Sequence, residues 1–449
     1  MNVRRLIVAV IFCLGSLTAN RATFAQIKAA EHNRAATLNN QGLALFAAGK
    51  IDAAIVLYRQ ALTIKPDLPE ALSNLGLALD KEGKEDEAIA EIRKALSIQP
   101  DAITQANLGL ALYHEGKFDE AIEAYRGALT RNPRAAAAWN GLGASLYSMG
   151  KTADAIDAYK KALEIDPHHA DTLNNYGVAL DQEKQYGAAI AAYQQSLTIT
   201  PNASDTWQNL GRAYADSGNA DDAIQAYLKC VGISPRNGNA WFELGRLYAG
   251  GNQLDDAINS FEKSAELNPN QAETFANLGA AYEVKQEFDN AIESYQKAIA
   301  LKADDPVILA ELGNSYQDGG QYDQAIGCYK KALALQPDLS GALYNLGIAQ
   351  ERKGDLEGAI VSFQKYVKLQ PKDTRGPFEL GNSLFNKGQY ALAVDSYRAA
   401  VALNPKLAIA HYNLSQALAR IGDGKAAEIE LDTARKIDPK VGLSSGSSK

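Results

Sequence analysis

The sequence predicts an all-α fold, an α-solenoid of twelve stacked helix-turn-helix repeats. Two observations predict the repetition: a glycine recurs at nearly constant spacing, and an alanine follows each of these positions after twelve residues. A third, the helical spacing of apolar residues around both, predicts helices. The steps between the glycines are 34 residues except for one of 33, and Ser415 completes the series Gly42, Gly76, Gly109, Gly143, Gly177, Gly211, Gly245, Gly279, Gly313, Gly347 and Gly381.

Each repeat is predicted to contain two helices. With the recurrent glycine as position 8, apolar residues favour positions 4, 7, 8 and 11, which form one stripe of a first helix, helix A. A second stripe at positions 20, 21, 24 and 27 predicts helix B after a turn that usually has glycine at position 15. Small residues at positions 8 and 20 predict a close approach of the two helices. Because one hairpin cannot bury its stripe alone, neighbouring repeats are expected to stack.

This pattern resembles the tetratricopeptide repeat family. The fourth repeat carries the resemblance in Trp139, Leu142, Gly143, Ala155, Tyr159, Ala162 and Pro167. Twelve such repeats span residues 35–441. The resemblance implies a right-handed superhelix of antiparallel helix pairs, in which helix A lines a concave groove that binds peptides or proteins.

The two ends of the chain differ from the repeats. Residues 1–25 are typical of a secretory signal peptide, with Arg4 and Arg5 before an apolar stretch and Ala25 before the expected cut. The alternative is an uncleaved membrane anchor, but only 15 residues separate Arg5 from Arg21, and a membrane span needs about 20. We therefore expect export to the periplasm or the cell exterior, with no membrane contact after cleavage.

Short segments flank the repeats. Residues 26–34 are predicted to be a linker and residues 442–449 a flexible tail. The last repeat has Glu428 at position 21, where the other repeats have isoleucine or valine. A polar outer face is what a terminal repeat needs, so the solenoid is expected to end there.

Composition narrows the possible functions. The chain has 45 Lys and Arg against 53 Asp and Glu, a net charge of −8, which argues against a nucleic-acid partner. Three cysteines support neither a disulfide framework nor a zinc site, and the adjacent His168 and His169 lack further ligands nearby in sequence. Because the repeats leave no room for a catalytic domain, we predict no enzyme activity, no catalytic residues, no cofactor and no metal.

Position 6 of helix A is the predicted partner-binding position, because the resemblance directs it into the groove. Glutamate replaces asparagine there in three repeats, and Gly141 interrupts the series once. The predicted groove residues are Asn40, Asn74, Asn107, Asn175, Asn209, Asn277, Asn345 and Asn413, together with Glu243, Glu311 and Glu379.

Two interpretations of these asparagines are open. An asparagine amide can hold one backbone N–H and one C=O of an extended peptide, and three extended residues cover about 10 Å, roughly one helix diameter. Such a row resembles the asparagine ladder in the repeats of O-linked N-acetylglucosamine transferase. Alternatively, each asparagine bonds to the neighbouring repeat or is merely a tolerated consensus residue.

The predicted groove is acidic. Positions 2, 5, 6, 9, 12 and 13 carry 13 acidic and 6 basic residues, among them Asp80, Asp181, Glu283 and Glu351 at position 12. An acidic groove favours basic or neutral segments. Arg375 is the only basic residue at positions 2 and 5, so the carboxylate clamp of chaperone-binding repeats is not expected.

These features predict an exported, non-enzymatic scaffold for protein–protein interaction. We expect it to bind an extended peptide or protein segment in its groove, within a cell-envelope complex. The alternative is a membrane-tethered assembly factor retained by an uncleaved signal segment.

Overall fold

The computed structural model describes residue 26 and residues 28–442. The predicted signal peptide at 1–25 and residues 443–449 of the predicted tail lie outside the described residues. The chain divides into two compact parts, an N-terminal body that ends at Ile233 and a C-terminal body that begins at Ser234. No strand is assigned within 28–442.

The described part of each body consists of twelve helices in six hairpins, with odd numbers for helix A and even numbers for helix B. The N-terminal body contains α1 (28–47), α2 (Ile51–Ile64), α3 (Pro69–Lys81), α4 (Glu85–Ile98), α5 (Ala102–His114), α6 (Phe118–Arg131), α7 (Ala136–Ser148), α8 (Thr152–Ile165), α9 (Ala170–Gln182), α10 (Tyr186–Ile199), α11 (Ser204–Asp216) and α12 (Ala220–Ile233). The C-terminal body contains α13 (Gly238–Gly250), α14 (Leu254–Leu267), α15 (Ala272–Val284), α16 (Phe288–Leu301), α17 (Pro306–Asp318), α18 (Tyr322–Leu335), α19 (Ser340–Lys353), α20 (Leu356–Leu369), α21 (Arg375–Asn386), α22 (Tyr390–Leu403), α23 (Ala408–Arg420) and α24 (Gly424–Ile437).

The predicted fold class and the order of the helices are confirmed. From α3 onward, each A helix packs against the B helix that follows it, and each B helix packs against the next A helix within its body. The Tyr58 ring of α2 likewise lies against Gly42 of α1. One boundary differs from the prediction, because α1 begins at residue 28. The predicted linker at 26–34 is therefore helical from residue 28 onward.

Glycine at position 15 ends most A helices in the left-handed region. Nine such glycines have φ between 73° and 86°, as at Gly150 and Gly320. Glycine adopts these angles without the steric cost that a Cβ brings. Lys184, Asn252 and Gln286 occupy the same position in three repeats and still adopt φ of 57° to 63°, so the turn geometry persists without glycine.

Position 8 glycine makes room for a ring from the same hairpin. A Cβ added to Gly143 would lie 2.6 Å from the Tyr159 ring, and one added to Gly313 would lie 2.6 Å from Tyr329. These rings occupy position 24 of helix B. The alanine at position 20 is also fully buried, as in Ala155, which confirms the predicted close approach of the two helices.

Tryptophans at position 4 tie a repeat to the turn before it. Each donates its indole N–H to a proline carbonyl, in the pairs Trp139–Pro133 at 2.9 Å, Trp207–Pro201 at 2.8 Å and Trp241–Pro235 at 3.0 Å. These tryptophans are packing residues, as predicted.

The last helix has the exposed outer face predicted for a terminal repeat. Glu428 is exposed, whereas Ile360 and Val394 at the same position of the two preceding repeats are buried. Only Ala427 and Ala434 of α24 are buried.

Candidate functional site

Polar side chains at positions 5, 6, 9 and 12 link successive A helices within each body, and we call this set the A-helix row. In the N-terminal body, the asparagine at position 6 donates to position 5 of the preceding repeat. The bonds run from Asn74 to Asn39 at 3.0 Å, Asn107 to Ser73 at 3.1 Å, Asn175 to Asn140 at 3.3 Å and Asn209 to Asn174 at 3.1 Å.

In the C-terminal body, the acceptor is instead an asparagine at position 9. Asn345 Nδ2 donates to Asn314 Oδ1 at 2.8 Å. Asn314 is held in turn by donating to Glu311 at 2.9 Å and by accepting from the Tyr329 hydroxyl at 2.8 Å. The same network recurs two repeats later in Asn413, Asn382, Glu379 and Tyr397, with distances of 2.8 to 3.0 Å.

The other position 6 residues have different surroundings. Asn40 is exposed, and Asn277 donates to the Glu273 carbonyl of its own helix at 2.9 Å. Glu243 pairs with Arg246 of its own helix at 3.0 Å. Gly141 leaves space for the Tyr125 ring of the preceding repeat, which a Cβ would overlap.

The interpretation that asparagine bonds to the neighbouring repeat is therefore confirmed at six of the eight positions. Peptide binding stays a prediction, and the two roles are compatible. An asparagine amide has two N–H donors and one carbonyl acceptor, and each inter-repeat bond uses only one donor. In the described structure, the Oδ1 atoms of Asn74, Asn175 and Asn209 accept no hydrogen bond.

The position 12 acids of the N-terminal body are paired with an arginine and a histidine of the next A helix. Arg212 binds the Asp181 carboxylate at 3.0 Å, and His114 Nδ1 lies 2.9 Å from the Asp80 carboxylate. Asp80 and Asp181 are only 6% and 9% exposed, so their prediction as open groove residues is wrong. Position 12 faces the next A helix, where burial raises the pKa of Asp181 and Arg212 opposes that shift.

The position 12 acids of the C-terminal body have neutral donors instead. Glu283 accepts from the hydroxyls of Ser315 at 3.1 Å and Tyr295 at 3.2 Å. Burial raises the pKa of Glu283, and the nearby Glu311 raises it further. Glu351 follows the same pattern: burial and the nearby Glu379 raise its pKa.

A pocket of about 560 Å³ opens between α15 and α17 in the C-terminal body. It contains Glu283, Glu311 and Asp318, and its walls include Val284 and Val307, which are 63% and 53% exposed. Its described lining contains no lysine, arginine or histidine. Two other pockets, of about 490 and 430 Å³, each combine an acidic side chain with at least one lysine.

Other chemistry-bearing residues have structural partners. His169 caps α9 by accepting from the Thr172 backbone N–H at 3.2 Å. Within residues 28–442, no three His, Cys, Asp or Glu side chains are placed to hold a metal ion. None of the described helices is both long and apolar enough to cross a bilayer.

Sequence reasoning missed Asn314 and Asn382, which accept the inter-repeat bonds of the C-terminal body. It also missed the hydroxyls of Tyr329 and Tyr397, because position 24 was predicted only as part of the apolar stripe of helix B. A signal was present: asparagine occupies position 9 only in these two repeats, which are 68 residues apart, and both have glutamate at position 6.

Comparison with known proteins agrees with this architecture. Family profiles described as tetratricopeptide or TPR repeats match residues 42–83, 69–102, 107–170, 143–204, 341–373 and 381–422. The chain belongs to the tetratricopeptide repeat family. Repeats of this family generally serve as protein-interaction scaffolds. A profile of the C-terminal domain of cilia and flagella-associated protein 70 also matches residues 176–347.

Several solved structures are similar to parts of this tetratricopeptide repeat chain. A MamA structure is 31% identical, with 38% of this chain and 92% of that chain covered and a TM-score of 0.37. YrrB, described as a TPR protein with an unusual peptide-binding site, is 26% identical over 41% of this chain and 95% of that chain, with a TM-score of 0.38. Pseudomonas aeruginosa pilF is 22% identical over 46% of this chain and 94% of that chain, with a TM-score of 0.42. The curated proteins include no match to the chain.

Proposed function

We propose that this chain is an exported, non-enzymatic scaffold that binds an extended peptide or protein segment along the A helices of its repeats. The observation that carries the proposal is the A-helix row. Inter-repeat bonds hold the Asn74, Asn175 and Asn209 amides in place, so each presents a carbonyl and a second N–H at a fixed position. Groups held in advance lose less conformational entropy when a partner binds.

The proposal predicts that partners contact the A-helix side of the repeats. A photoreactive phenylalanine analogue at Ile103 or Val307, both at position 2, tests this in cells. The same analogue at Val56 or Val361, at position 22 of helix B, is the control. Val307 and Val361 are 53% and 49% exposed, so their accessibility is closely matched. We expect discrete cross-linked products from the position 2 variants alone; equal products from both sides would refute the proposal.

Asparagine substitutions test the amide contribution separately from stability. Within residues 28–442 neither Asn40 nor Asn277 makes an inter-repeat hydrogen bond, so Asn40→Ala and Asn277→Ala leave the described links between repeats intact. Each lost hydrogen bond to a peptide main chain is worth about 0.5–1.5 kcal/mol, a few-fold to about tenfold in affinity. We expect the two changes together to weaken binding of the cross-linked partner without altering helicity.

Export and a place in a cell-envelope complex are also part of the proposal, and they rest on the sequence of residues 1–25. Amino-terminal sequencing of the exported protein tests cleavage. A start at Gln26 supports a released scaffold, whereas a start at Met1 supports the membrane-tethered alternative.

A further inference from the structure

We infer that the pocket between α15 and α17 binds a lysine or arginine side chain of the partner segment. This inference rests on the proposed scaffold function and names the chemistry that one of its sites recognises. The pocket of about 560 Å³ is large enough for a side chain, and it opens on the A-helix side beside Asn277.

The first argument is uncompensated charge. Three carboxylates, from Glu283, Glu311 and Asp318, line the pocket without a cationic side chain. The nearest base in sequence, Lys285, is occupied by Asp255 at 2.8 Å and Glu287 at 2.9 Å. A cation from a partner would supply the charge that the chain itself does not.

The second argument is how the carboxylates are held. Neutral donors fix Glu283 and Glu311 through their Oε2 atoms, from Ser315, Tyr295 and Asn314 at 2.9 to 3.2 Å. The Oε1 atoms of both glutamates have no hydrogen-bond partner among the described residues. Two oriented carboxylates with free oxygen atoms suit an ammonium or guanidinium group, which donates several hydrogen bonds.

The third argument is the apolar wall. Val284 and Val307 are 63% and 53% exposed at the pocket, one on each of the two A helices. Lysine and arginine carry aliphatic stems that pack on apolar surface while the charged end reaches a polar group. The combination of apolar walls and carboxylates therefore fits a long basic side chain better than a small cation.

The equivalent place two repeats later provides a matched control. Glu351 and Glu379 repeat the arrangement of Glu283 and Glu311, and Glu379 holds Asn382 as Glu311 holds Asn314. However, Arg352 lies close enough to lower the pKa of Glu351. This second place already has a positive charge, so it should bind a basic side chain more weakly.

Peptide binding to the purified full chain tests the inference. The probe is a fluorescein-labelled nonapeptide of alternating threonine and alanine with lysine at its centre; norleucine and glutamate versions serve for comparison. Norleucine keeps an apolar stem and lacks the charge. Because charge-assisted hydrogen bonds are the stronger kind, we expect the lysine peptide to bind about tenfold or more tightly than the norleucine peptide, with the preference declining at high salt.

Two variants locate the site. In Glu311→Gln the ratio of lysine-peptide to norleucine-peptide affinity should fall several-fold, because one of the three carboxylates is lost. In Glu379→Gln this ratio should remain, although both changes keep an acceptor for the neighbouring asparagine. Equal preference in the two variants, equal binding of lysine and norleucine, or no peptide binding would overturn the inference. Cross-linking at Ile103 together with equal binding of lysine and norleucine would reject this pocket alone and leave the scaffold function standing.

Discussion

The two bodies are built from the same 34-residue pattern but balance their buried acids differently. In the N-terminal body, Asp181 pairs with Arg212 and Asp80 with His114. In the C-terminal body, the hydrogen bonds that Glu283 and Glu351 receive from described residues all come from neutral groups. Positions that do not define the repeat therefore decide whether a buried acid pairs with a basic side chain or accepts hydrogen bonds from neutral groups.

The largest expected effect tests the charged pair of the N-terminal body. Arg212→Met leaves Asp181 buried beside no cation, which typically costs 3–5 kcal/mol when both partners are buried. The Arg212 side chain is 49% exposed, so water screens the pair, and we expect about 2–3 kcal/mol.

The matched change in the C-terminal body is Ser315→Ala, which removes one neutral hydrogen bond to Glu283. We expect a loss of about 1 kcal/mol. Urea unfolding followed by both circular dichroism and tryptophan fluorescence measures the two losses, because long repeat arrays do not always unfold in one step. Equal losses would contradict the proposed difference between the bodies.

The second test removes inter-repeat amides. Asn175→Ala and Asn209→Ala together lose two bonds between A helices, at about 0.5–1.5 kcal/mol each, and alanine's better helix propensity offsets part of this. Asn277→Ala is the control, because its bond lies within one helix. If the double variant were as stable as the control, these bonds would contribute nothing to the stacking of repeats.

The third test compares two buried tyrosine hydroxyls at position 24. The Tyr329 hydroxyl donates to Asn314, so Tyr329→Phe should lose about 1 kcal/mol. The Tyr193 hydroxyl is buried without a hydrogen bond of good geometry and lies near Arg212, so Tyr193→Phe should cost less than Tyr329→Phe. If the unfolding midpoints of the two variants shifted equally, the two hydroxyl contacts would not differ in strength.

The smallest expected effect is a pH dependence with a defined sign. The pKa of Glu283 is raised in the folded state, so its ionisation opposes folding at neutral pH, and stability increases as pH falls through the raised pKa. Glu283→Gln should therefore stabilise the chain at pH 7.5, and the gain should disappear near pH 4, around the ordinary pKa of about 4.3.

Asp373 is the opposite case and serves as the control for that measurement. Hydrogen bonds from Arg375 lower the pKa of Asp373, so this carboxylate stabilises the fold above its ordinary pKa and loses that contribution on acidification. Asp373→Asn should thus destabilise the chain at pH 7.5. If both variants changed the stability of the chain in the same direction at neutral pH, burial would not control the Glu283 charge.

The repeat register could be predicted because it follows from local, periodic constraints. Glycine at position 8 and a ring at position 24 belong to the same hairpin, so their spacing in sequence is constant. The acceptors of the A-helix row depend instead on which residues of the preceding helix lie opposite. Asn209 reaches back 35 residues to Asn174, whereas Asn345 reaches back 31 residues to Asn314. The residue types at position 6 alone do not distinguish a 35-residue link from a 31-residue link.

The position 12 acids show the same limit. The sequence places Asp181 on the helix face that was predicted to be open. The structure buries it against the next A helix, where it pairs with Arg212. Burial between repeats depends on how closely two A helices approach, and a single-helix pattern does not encode that distance.

The A-helix row also limits how such a chain can change in length during evolution. Loss of the repeat at 170–203 would bring Asn209 next to Asn140, which is the acceptor that Asn175 already uses. Loss of the repeat at 340–373 would instead put Glu379 beside Asn314, and a carboxylate cannot donate the required hydrogen bond. Loss of the two repeats at 340–407 would bring Asn413 to Asn314 and restore the hydrogen bond between successive A helices. Deletion should therefore be tolerated for the single repeat at 170–203 and for the pair of repeats at 340–407.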